Sequence, residues 1–339
     1  MPEKAFLIGN EIIVKAALAC GAEAFFGYPI TPGSEIMHAW AKAQIGQDIK
    51  FLQCEDEMAA GFAVIGACLA GHKAFTATAG PGNVLMQDAI SMAEAMQIPF
   101  VGIICQRGGP STGSVIYSQQ EVTLTGWGGN SEGYRIVYSP STLQELYDYT
   151  IKCFNTAWTY RLPTFLLTDG YLGKMQSDVL LKRPTKIVPA QNLLSKGYTN
   201  LRNCYDLEEE IYEVNLKLKK LHDKAARQIT EFESLKCEDA ETIIVAHGIV
   251  GAAAREAVSE LRKQEKKVGL FRPITLNPFP VKEARIILKK AKEVIVVESA
   301  ANQLNKLLKE NLYGLTVKIS QYGRPALGIT PDEIVNLIK

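Results

Sequence analysis

Residues 73–83 read KAFTATAGPGN, an apolar run that ends in a Gly-Pro-Gly turn. The run is typical of a buried strand, and residues 84–96 after the turn have the spacing of an amphipathic helix. The same order recurs from residue 5 to about 180, in the strand-like runs EAFFGYP, PFVGIIC, YRIVYSP and PTFLLTDG. Strands that alternate with helices indicate βαβ units, and so an α/β fold whose mostly parallel sheet has helices on both faces.

A second region of strands and helices begins near residue 240, with the strand-like runs ETIIVAHG, KVGLFRPITLNPFP and EVIVVESA. Residues 182–204 contain two prolines and no clear period, which indicates a linker. Apolar residues then recur at spacings of three and four from Leu207 to Phe232, which predicts one long helix on a neighbouring surface or in a coiled coil. We predict a first domain over 1–190, a linker and long amphipathic helix over 191–236, and a smaller α/β domain over 237–339.

The charge and cysteine content exclude several classes of protein. Among 339 residues, Lys and Arg total 37 and Asp and Glu total 36, so no global field favours nucleic acid or an anionic membrane. The seven cysteines form no C-x-x-C pair, which argues against a disulfide framework, a zinc site or an iron–sulfur site. No signal segment opens the chain and no apolar stretch is long enough to span a bilayer, so we expect a soluble cytoplasmic protein that holds no metal.

The loops after the predicted strands carry candidate site residues, because ligands bind at the carboxyl ends of strands in such folds. TAGPGN (78–83) lacks the patterns of phosphate-binding loops, so Gly80 and Gly82 indicate a tight turn before a helix. QRGGPSTG (106–113) places Arg107 at a strand end, where its guanidinium is suited to hold an acidic substrate. A structural ion pair is the alternative for Arg107.

The stretch EDEMAAG (55–61) begins a helix rich in alanine and glycine, which predicts close packing against a neighbouring element. Capping of the helix start explains Glu55 and Asp56. Glu57 is nearest to the buried part of the helix, where desolvation raises a carboxyl pKa and suits it to proton transfer, although capping could explain it too. TDGYLG (168–173) is similar to an acidic magnesium-binding loop, but a turn after a strand explains it more simply.

Six motifs occur in one order along the chain: GNE (9–11), GYPITP (27–32), EDEMAA (55–60), TATAGPG (76–82), LMQDAI (85–90) and QRGGPSTG (106–113). In this order they closely resemble the alpha subunit of the 2-oxoacid:ferredoxin oxidoreductases. The resemblance continues through YRIVYSPSTLQEL (134–146), YRLPTFLLTDGYLG (160–173) and VGLFRPITLNPFP (268–280). It therefore covers nearly the whole chain.

The resemblance implies a thiamine diphosphate-binding fold, in which a pyrimidine-binding domain is followed by a transketolase C-terminal-like α/β domain. It also implies CoA-dependent oxidative decarboxylation of a 2-oxo acid with electrons passed to ferredoxin, or the reverse carboxylation. The family glutamate that hydrogen-bonds N1′ of the cofactor pyrimidine corresponds to Glu57, the expected catalytic residue. Thr31 and Arg107 correspond to groups that meet the 2-oxo acid. The expected cofactor-binding residues are Glu57, Tyr28, Pro29, Gly80 and Gly82.

The resemblance also implies partner subunits. Because the chain lacks a G-D-G motif with a downstream asparagine, Mg²⁺ and the diphosphate are expected on a beta subunit that completes the site. Iron–sulfur clusters are expected only in partner subunits, and a gamma subunit and a ferredoxin-like delta subunit are further possible partners. The motifs start within ten residues of Met1, so no gamma domain is expected ahead of them.

The substrate is the least defined part of the prediction. QRGGPSTG and the WGG at 127–129 favour 2-oxoglutarate, whereas the chain length and the early start also fit the branched-chain 2-oxoacid enzymes. The family pattern is not followed at SVIYSQQE (114–121), beside the substrate loop, or at ESAANQL (298–304). Two alternatives from other classes are a non-catalytic assembly paralogue and a different thiamine enzyme, such as a transketolase-type half protein.

Overall fold

The computed structural model describes residues 3–194 and 202–338, so residues 195–201 of the predicted linker lie outside the described residues. The strands are β1 Glu3–Ile8, β2 Ala24–Gly27, β3 Lys50–Gln53, β4 Ala74–Thr78, β5 Val101–Gln106, β6 Ile136–Tyr138, β7 Thr164–Asp169, β8 Gln176–Leu181, β9 Phe232–Leu235, β10 Thr242–Val245, β11 Val268–Pro273, β12 Thr275–Asn277, β13 Glu293–Glu298 and β14 Lys318–Gly323. The helices are α1 Gly9–Ala19, α2 Ser34–Gln44, α3 Glu57–Leu69, α4 Pro81–Leu85, α5 Gln87–Ala95, α6 Val122–Trp127, α7 Leu143–Tyr160, α8 Gly170–Lys174, α9 Glu208–Ile229, α10 Gly248–Lys263, α11 Val281–Leu288, α12 Leu304–Asn311 and α13 Pro331–Asn336. Within these described ranges, no helix has both the length and the apolar character needed to cross a bilayer.

The largest sheet has seven strands in the order β12-β6-β7-β5-β4-β2-β3. Its neighbouring strands pair in parallel, except for β12, which is antiparallel to β6. Strands β4, β5 and β7 are buried along their whole length, as expected for a sheet with helices on both faces. The predicted α/β fold with a mostly parallel sheet is therefore confirmed.

The second sheet has the order β14-β13-β10-β11-β9 and is parallel except for β9. β9 lies in the predicted segment 191–236 but pairs with β11, and β12 lies in the predicted domain 237–339 but pairs with β6 of the largest sheet. β1 and β8 form a separate antiparallel pair. Strand pairing therefore links the chain on both sides of residue 236, and the predicted domain bounds stay a prediction.

The long helix predicted from Leu207 to Phe232 is shorter in the structure. α9 ends at Ile229, and Phe232 begins β9 instead, so the prediction was wrong over its last residues. The reason is that β9 exchanges ladder hydrogen bonds with β11, which lies far away in the sequence. The helix lies on α5 and α7 and is not a free coiled coil. Its buried face consists of Val214, Leu218, Ala225 and Ile229.

The close packing predicted for the helix that begins in EDEMAAG is seen at Gly61. A Cβ atom at Gly61 would lie 2.7 Å from the Cβ of Ala89 on α5, so a side chain there would force α3 and α5 apart. The helix predicted over 84–96 is divided at Met86 into α4 and α5. The contact between α3 and α5 sets where the start of α3, at Glu57, lies relative to α4.

A buried arginine joins the two regions. Arg272 on β11 is 2% exposed, and its Nη1 and Nη2 donate to the two carboxylate oxygens of Glu145 on α7 over 3.0 and 2.7 Å. Its Nε donates to Glu233 on β9 over 2.7 Å, and its Nη1 also donates to Ser141 Oγ over 2.8 Å. The guanidinium therefore has carboxylate partners on both sides of the junction, in the bidentate geometry that makes such pairs strong.

Arg272→Met is expected to lower the free energy of unfolding by about 3 kcal/mol, because removal of one member of a buried ion pair leaves an uncompensated charge. Urea unfolding followed by circular dichroism measures the loss. The matched control is Lys219→Met, which removes an exposed pair with Asp223 and should lower the free energy of unfolding by less than about 1 kcal/mol. Equal losses in the two variants would contradict the role of Arg272 at the junction.

Candidate active site

The carboxyl ends of β2, β4 and β5 lie side by side, because these strands are neighbours in the sheet and run in parallel. The segments that follow them begin at Tyr28, Ala79 and Arg107. β3, on the other side of β2, leads into α3, which begins at Glu57. The topology therefore places the predicted site segments at one edge of the sheet, where parallel sheets bind ligands.

Glu57 is the first residue of α3 and is 4% exposed. Thr78 Oγ1, at the end of β4, donates a hydrogen bond to its Oε1 over 3.3 Å. Burial raises the pKa of Glu57 above its usual range, so the protonated carboxyl is favoured more than in a solvated glutamate. The cap of α3 is Asp56, whose side chain accepts the N–H of Ala59 over 2.7 Å. The predicted capping role of Asp56 is confirmed, and the helix does not need Glu57 for this task.

Two glycines bring the backbone of the loop after β4 against the candidate side chains. A Cβ atom at Gly82 would overlap Glu57 Oε1 and Thr78 Oγ1. Gly80 has a φ of +53°, and a Cβ atom there would lie 3.0 Å from Arg107 Nε. Pro81 between them starts α4, so the predicted tight turn before a helix is confirmed. The turn brings Glu57 and Arg107 to its two sides.

Arg107 is 5% exposed and follows directly after β5. Its Nη1 donates to the backbone carbonyl of Thr31 over 2.8 Å, which fixes the plane of the guanidinium. Its Nε is buried and has no hydrogen-bond partner among the described residues. In residues 3–194 and 202–338 no carboxylate lies within 4.0 Å of its guanidinium nitrogens, so the structural ion pair considered from the sequence is not found there. Arg107 therefore keeps a donor for an anionic group.

The loop after β2 contributes unequally to this site. Thr31 is exposed and contacts Arg107 through its carbonyl oxygen. Tyr28 is 40% exposed and Pro29 is half-buried. In the part of the chain that the structure describes, no hydrogen bond or ring contact joins these two residues to Glu57 or Arg107. The structure thus brings together five of the predicted residues, and it leaves Tyr28 and Pro29 at the rim.

Two residues beside the site were missed by the sequence reasoning. Thr78 holds the Glu57 carboxyl, and its place as the last residue of a strand before a glycine turn is a signal that could have found it. Glu121 is 4% exposed, and its Oε1 accepts the N–H groups of Gly80 and Arg107 over 2.9 and 3.0 Å. Glu121 lies in SVIYSQQE, where the family pattern is not followed, so no local signal marks it.

The acidic motif TDGYLG has a structural role. Asp169 Oδ1 accepts the N–H groups of Tyr171 and Leu172, both over 3.0 Å, and so caps α8. The structure thus has a short helix where a turn was predicted, because Asp169 ends β7 and caps α8 directly. Burial raises the pKa of Asp169 to about 7. Among the described residues, no group of three or more His, Cys, Asp or Glu side chains is placed to hold a metal ion.

A cavity of about 450 Å³ lies against the site. The polar side chains in its lining are those of Arg107, Ser111, Gln120 and Glu121. Its apolar wall consists of Pro81, Val84, Leu85 and Leu124. A larger cavity of about 710 Å³ lies between Tyr117, Tyr171 and helices α10 and α13, and its lining includes none of the predicted site residues. The smaller cavity is therefore the better candidate for a substrate, because polar groups of suitable chemistry converge there.

Residues 15–241 match the family described as pyruvate flavodoxin/ferredoxin oxidoreductase, thiamine diphosphate-binding. The chain belongs to this family. Residues 240–325 of the oxidoreductase chain match core domain II of pyruvate:ferredoxin oxidoreductase. The predicted membership of the 2-oxoacid:ferredoxin oxidoreductases is confirmed, as are the thiamine diphosphate-binding α/β fold and the enzyme class.

The oxidoreductase chain is 35% identical over 331 residues to the 2-oxoglutarate synthase subunit KorA of Methanocaldococcus jannaschii, with 88% of this chain and 89% of that protein covered. It is 34% identical over 310 residues to the ketoisovalerate oxidoreductase subunit VorB of Methanothermobacter marburgensis, with 89% of this chain and 88% of that protein covered. Both relatives are named as subunits, so the oxidoreductase chain is one component of an enzyme with several subunits.

Among solved structures, the oxidoreductase chain is similar to 2-oxoglutarate:ferredoxin oxidoreductase from Magnetococcus marinus, solved with 2-oxoglutarate, coenzyme A and succinyl-CoA bound. The TM-score is 0.88 at 25% identity, and the match covers 99% of this chain. The oxidoreductase chain spans 64% of that longer chain. A split-gene transketolase shares the fold, with a TM-score of 0.62 at 13% identity over 98% of this chain and 97% of that chain. The predicted transketolase-like fold is therefore confirmed.

Glu57→Gln is expected to raise the melting temperature of the chain by roughly 2 °C at pH 7. The amide keeps an acceptor for Thr78 and has no charge to desolvate. Because the folded pKa of Glu57 is raised, its stabilising contribution is present below the ordinary carboxyl range and is lost as the pH rises through the folded pKa. The gain should therefore shrink near pH 4, as measured by thermal melts at both pH values.

The control for this variant is Glu55→Gln, at an exposed position two residues earlier. Its melting temperature relative to the wild type should not depend on pH in this way. Equal pH responses of the two variants would contradict the assignment of a desolvated carboxyl at Glu57.

Proposed function

We propose that this chain is the alpha subunit of a 2-oxoglutarate:ferredoxin oxidoreductase. The enzyme would couple CoA-dependent oxidative decarboxylation of 2-oxoglutarate to ferredoxin reduction, or catalyse the reverse carboxylation. The observation that most supports the proposal is the placement of Glu57 and Arg107 on opposite sides of one glycine turn, at the edge of the parallel sheet. One group is suited to a cofactor nitrogen and the other to a substrate carboxylate. The 2-oxoglutarate enzymes among the relatives support the choice of substrate.

The residues around Glu57 fit the aminopyrimidine of thiamine diphosphate. A carboxyl whose pKa is raised by burial can share a proton with a ring nitrogen, and Thr78 orients that carboxyl from the side of β4. When bound, thiamine diphosphate supplies the electron sink for cleaving the bond between the carbonyl and carboxylate carbons. We assign Glu57 as the catalytic residue, and Gly80, Gly82, Tyr28 and Pro29 to the binding of the cofactor.

Arg107 fits the carboxylate of a 2-oxo acid. Its Nη1 is already held by the Thr31 carbonyl, so the guanidinium need not be ordered when substrate binds. Its buried Nε–H lacks a partner among the described residues and can donate to the substrate. The exposed Thr31 hydroxyl lies on the adjoining residue, and we assign it to the same substrate.

In this proposal the chain provides only half of the active site, and another subunit provides the other half. Met58, Val84 and Leu85 are exposed apolar side chains next to Glu57 and the glycine turn, as expected for a surface that another chain covers. We propose that a beta subunit covers it and holds Mg²⁺ and the diphosphate. Iron–sulfur clusters would lie in partner subunits, with gamma and ferredoxin-like delta subunits as further partners, and ferredoxin would accept the electrons.

A branched-chain 2-oxo acid is the second candidate substrate. The wall of the smaller cavity formed by Val84, Leu85 and Leu124 is apolar, and Arg107 is its one cationic side chain in the part of the chain described. Such a wall suits an aliphatic group, whereas 2-oxoglutarate needs a partner for a second carboxylate. The ketoisovalerate relative supports this candidate.

The substrate proposal is tested by coexpressing the chain with the subunits encoded beside it and measuring CoA-dependent reduction of a viologen dye. We expect the highest kcat/KM for 2-oxoglutarate, with 2-oxoisovalerate and pyruvate at least about tenfold lower, because the second carboxylate then finds its partner on the other subunit. A higher kcat/KM for 2-oxoisovalerate would establish the second candidate. Absence of activity with all three acids would reject the proposed reaction.

The role of Glu57 is tested by the turnover of Glu57→Gln in the same complex. The amide cannot share an acidic proton, so kcat should fall by roughly a hundredfold or more while subunit assembly is retained. Size-exclusion chromatography checks assembly. Glu55→Gln is the matched control and should keep wild-type turnover, because Glu55 is exposed at the helix start. Near-normal turnover of Glu57→Gln would remove Glu57 from the mechanism.

A further inference from the structure

We propose that Glu121 is a positioning residue for this site, one that holds the Gly80 loop and the Arg107 loop in a fixed relation. The inference rests on the proposed function and adds to it a residue that acts through Arg107 and Gly80. Oε1 of Glu121 accepts the N–H of Gly80 over 2.9 Å and the N–H of Arg107 over 3.0 Å. One oxygen atom therefore ties together the two loops that border the substrate cavity.

The second oxygen of the same carboxylate is also engaged. Oε2 of Glu121 accepts from Asn83 Nδ2 over 3.0 Å, and Asn83 lies on α4, directly after the glycine turn. The orientation of the Asn83 amide is set independently, because its Oδ1 accepts from Gln87 Nε2 over 2.9 Å and its Nδ2 also donates to Thr125 Oγ1 over 3.1 Å. Glu121 thus receives three donors from two loops and one helix, and none of them is free to turn away.

Burying this carboxylate is unfavourable without those donors. Glu121 is 4% exposed, and burial raises its pKa, an effect that the hydrogen bonds from Asn83, Gly80 and Arg107 oppose. A charged acceptor of two backbone N–H groups makes stronger hydrogen bonds than a neutral one would. The Glu121 carboxylate therefore loses its solvation, and the hydrogen bonds that replace the water fix the geometry of the two loops.

The segment that carries Glu121 is itself anchored to the C-terminal region. Gln119 Nε2 donates to the His247 carbonyl over 2.8 Å, and Gln119 Oε1 accepts the N–H of Ser299 over 3.0 Å. Tyr117 Oη donates to Ser299 Oγ over 2.8 Å. Because Gln119 is only two residues from Glu121, the C-terminal region defines where the carboxylate stands.

Glu121→Gln tests the role with little change of volume. The amide oxygen can still accept from the loops, but the amide nitrogen would face Asn83 Nδ2, another donor, and the Asn83 amide cannot turn without losing Gln87. In the complex with its partner subunits, we expect the KM for the 2-oxo acid to rise roughly tenfold. Peptides that contain the amides of residues 80 and 107 should exchange hydrogen for deuterium faster.

The second variant, Glu121→Gln with Asn83→Asp, restores a donor opposite an acceptor and leaves the net charge unchanged. We expect its KM to return to within about threefold of the wild type, and the exchange of both peptides to slow again. Glu145→Gln is the matched control, because it makes the same chemical change at a carboxylate that accepts the N–H of Ser141 at the Arg272 junction. It should lower the melting temperature and leave the KM unchanged.

A KM of Glu121→Gln within twofold of the wild type would overturn the proposal, as would a double variant no better than the single one. A change matched by Glu145→Gln would also overturn it, since it would reflect only lost stability. The exchange measurement separates this inference from the proposed function. If the wild-type complex turns over no 2-oxo acid, the reaction is rejected, and the exchange of the two peptides still decides whether Glu121 fixes the loops.

Discussion

The backbone of Gly82 passes so close to the carboxyl group of Glu57 that no side chain fits between them. This approach depends on the tight spacing of α3 and α5 at Gly61 and on the register of β4 within the sheet. It excludes water from the carboxyl group and thereby raises its pKa. The raised pKa of Glu57 is thus a consequence of close packing. A side chain at Gly61 or Gly82 would separate the elements that shield Glu57 from water.

Much of this arrangement can be predicted from the sequence, because the signals involved are local. Alternating apolar runs and amphipathic stretches identify the strands and helices, and parallel pairing then brings the loops after β2, β4 and β5 to one edge. Arg107, Gly80 and Gly82 are predicted to lie together for this reason. The role of Glu57 cannot be predicted from a local pattern, because a carboxylate at a helix start is usually a cap. Only the family resemblance assigns the catalytic role to Glu57 and not to Asp56.

The features that the sequence does not predict depend on partners far along the chain. Gly80 and Glu121 are 41 residues apart, and Arg272 and Glu145 are 127 apart, so no window of sequence contains both members of either pair. Phe232 continues a helical spacing but belongs to a strand, because β11 offers it ladder hydrogen bonds. Regular spacing of glycines is also a poor guide to close contact. Gly61 packs tightly against α5, whereas a Cβ atom at Gly66, five residues later, would have no other atom within 4 Å.

The short strand β12 has a consequence beyond joining two regions. It covers the outer side of β6, which would otherwise be an open edge of the largest sheet. An open edge presents unpaired N–H and C=O groups to any other chain and promotes aggregation. β12 has only three residues and is followed by Pro278, which has no N–H to extend the ladder. The C-terminal region thus protects the N-terminal sheet from edge-to-edge association, and a fragment without residues 275–277 would lose that protection.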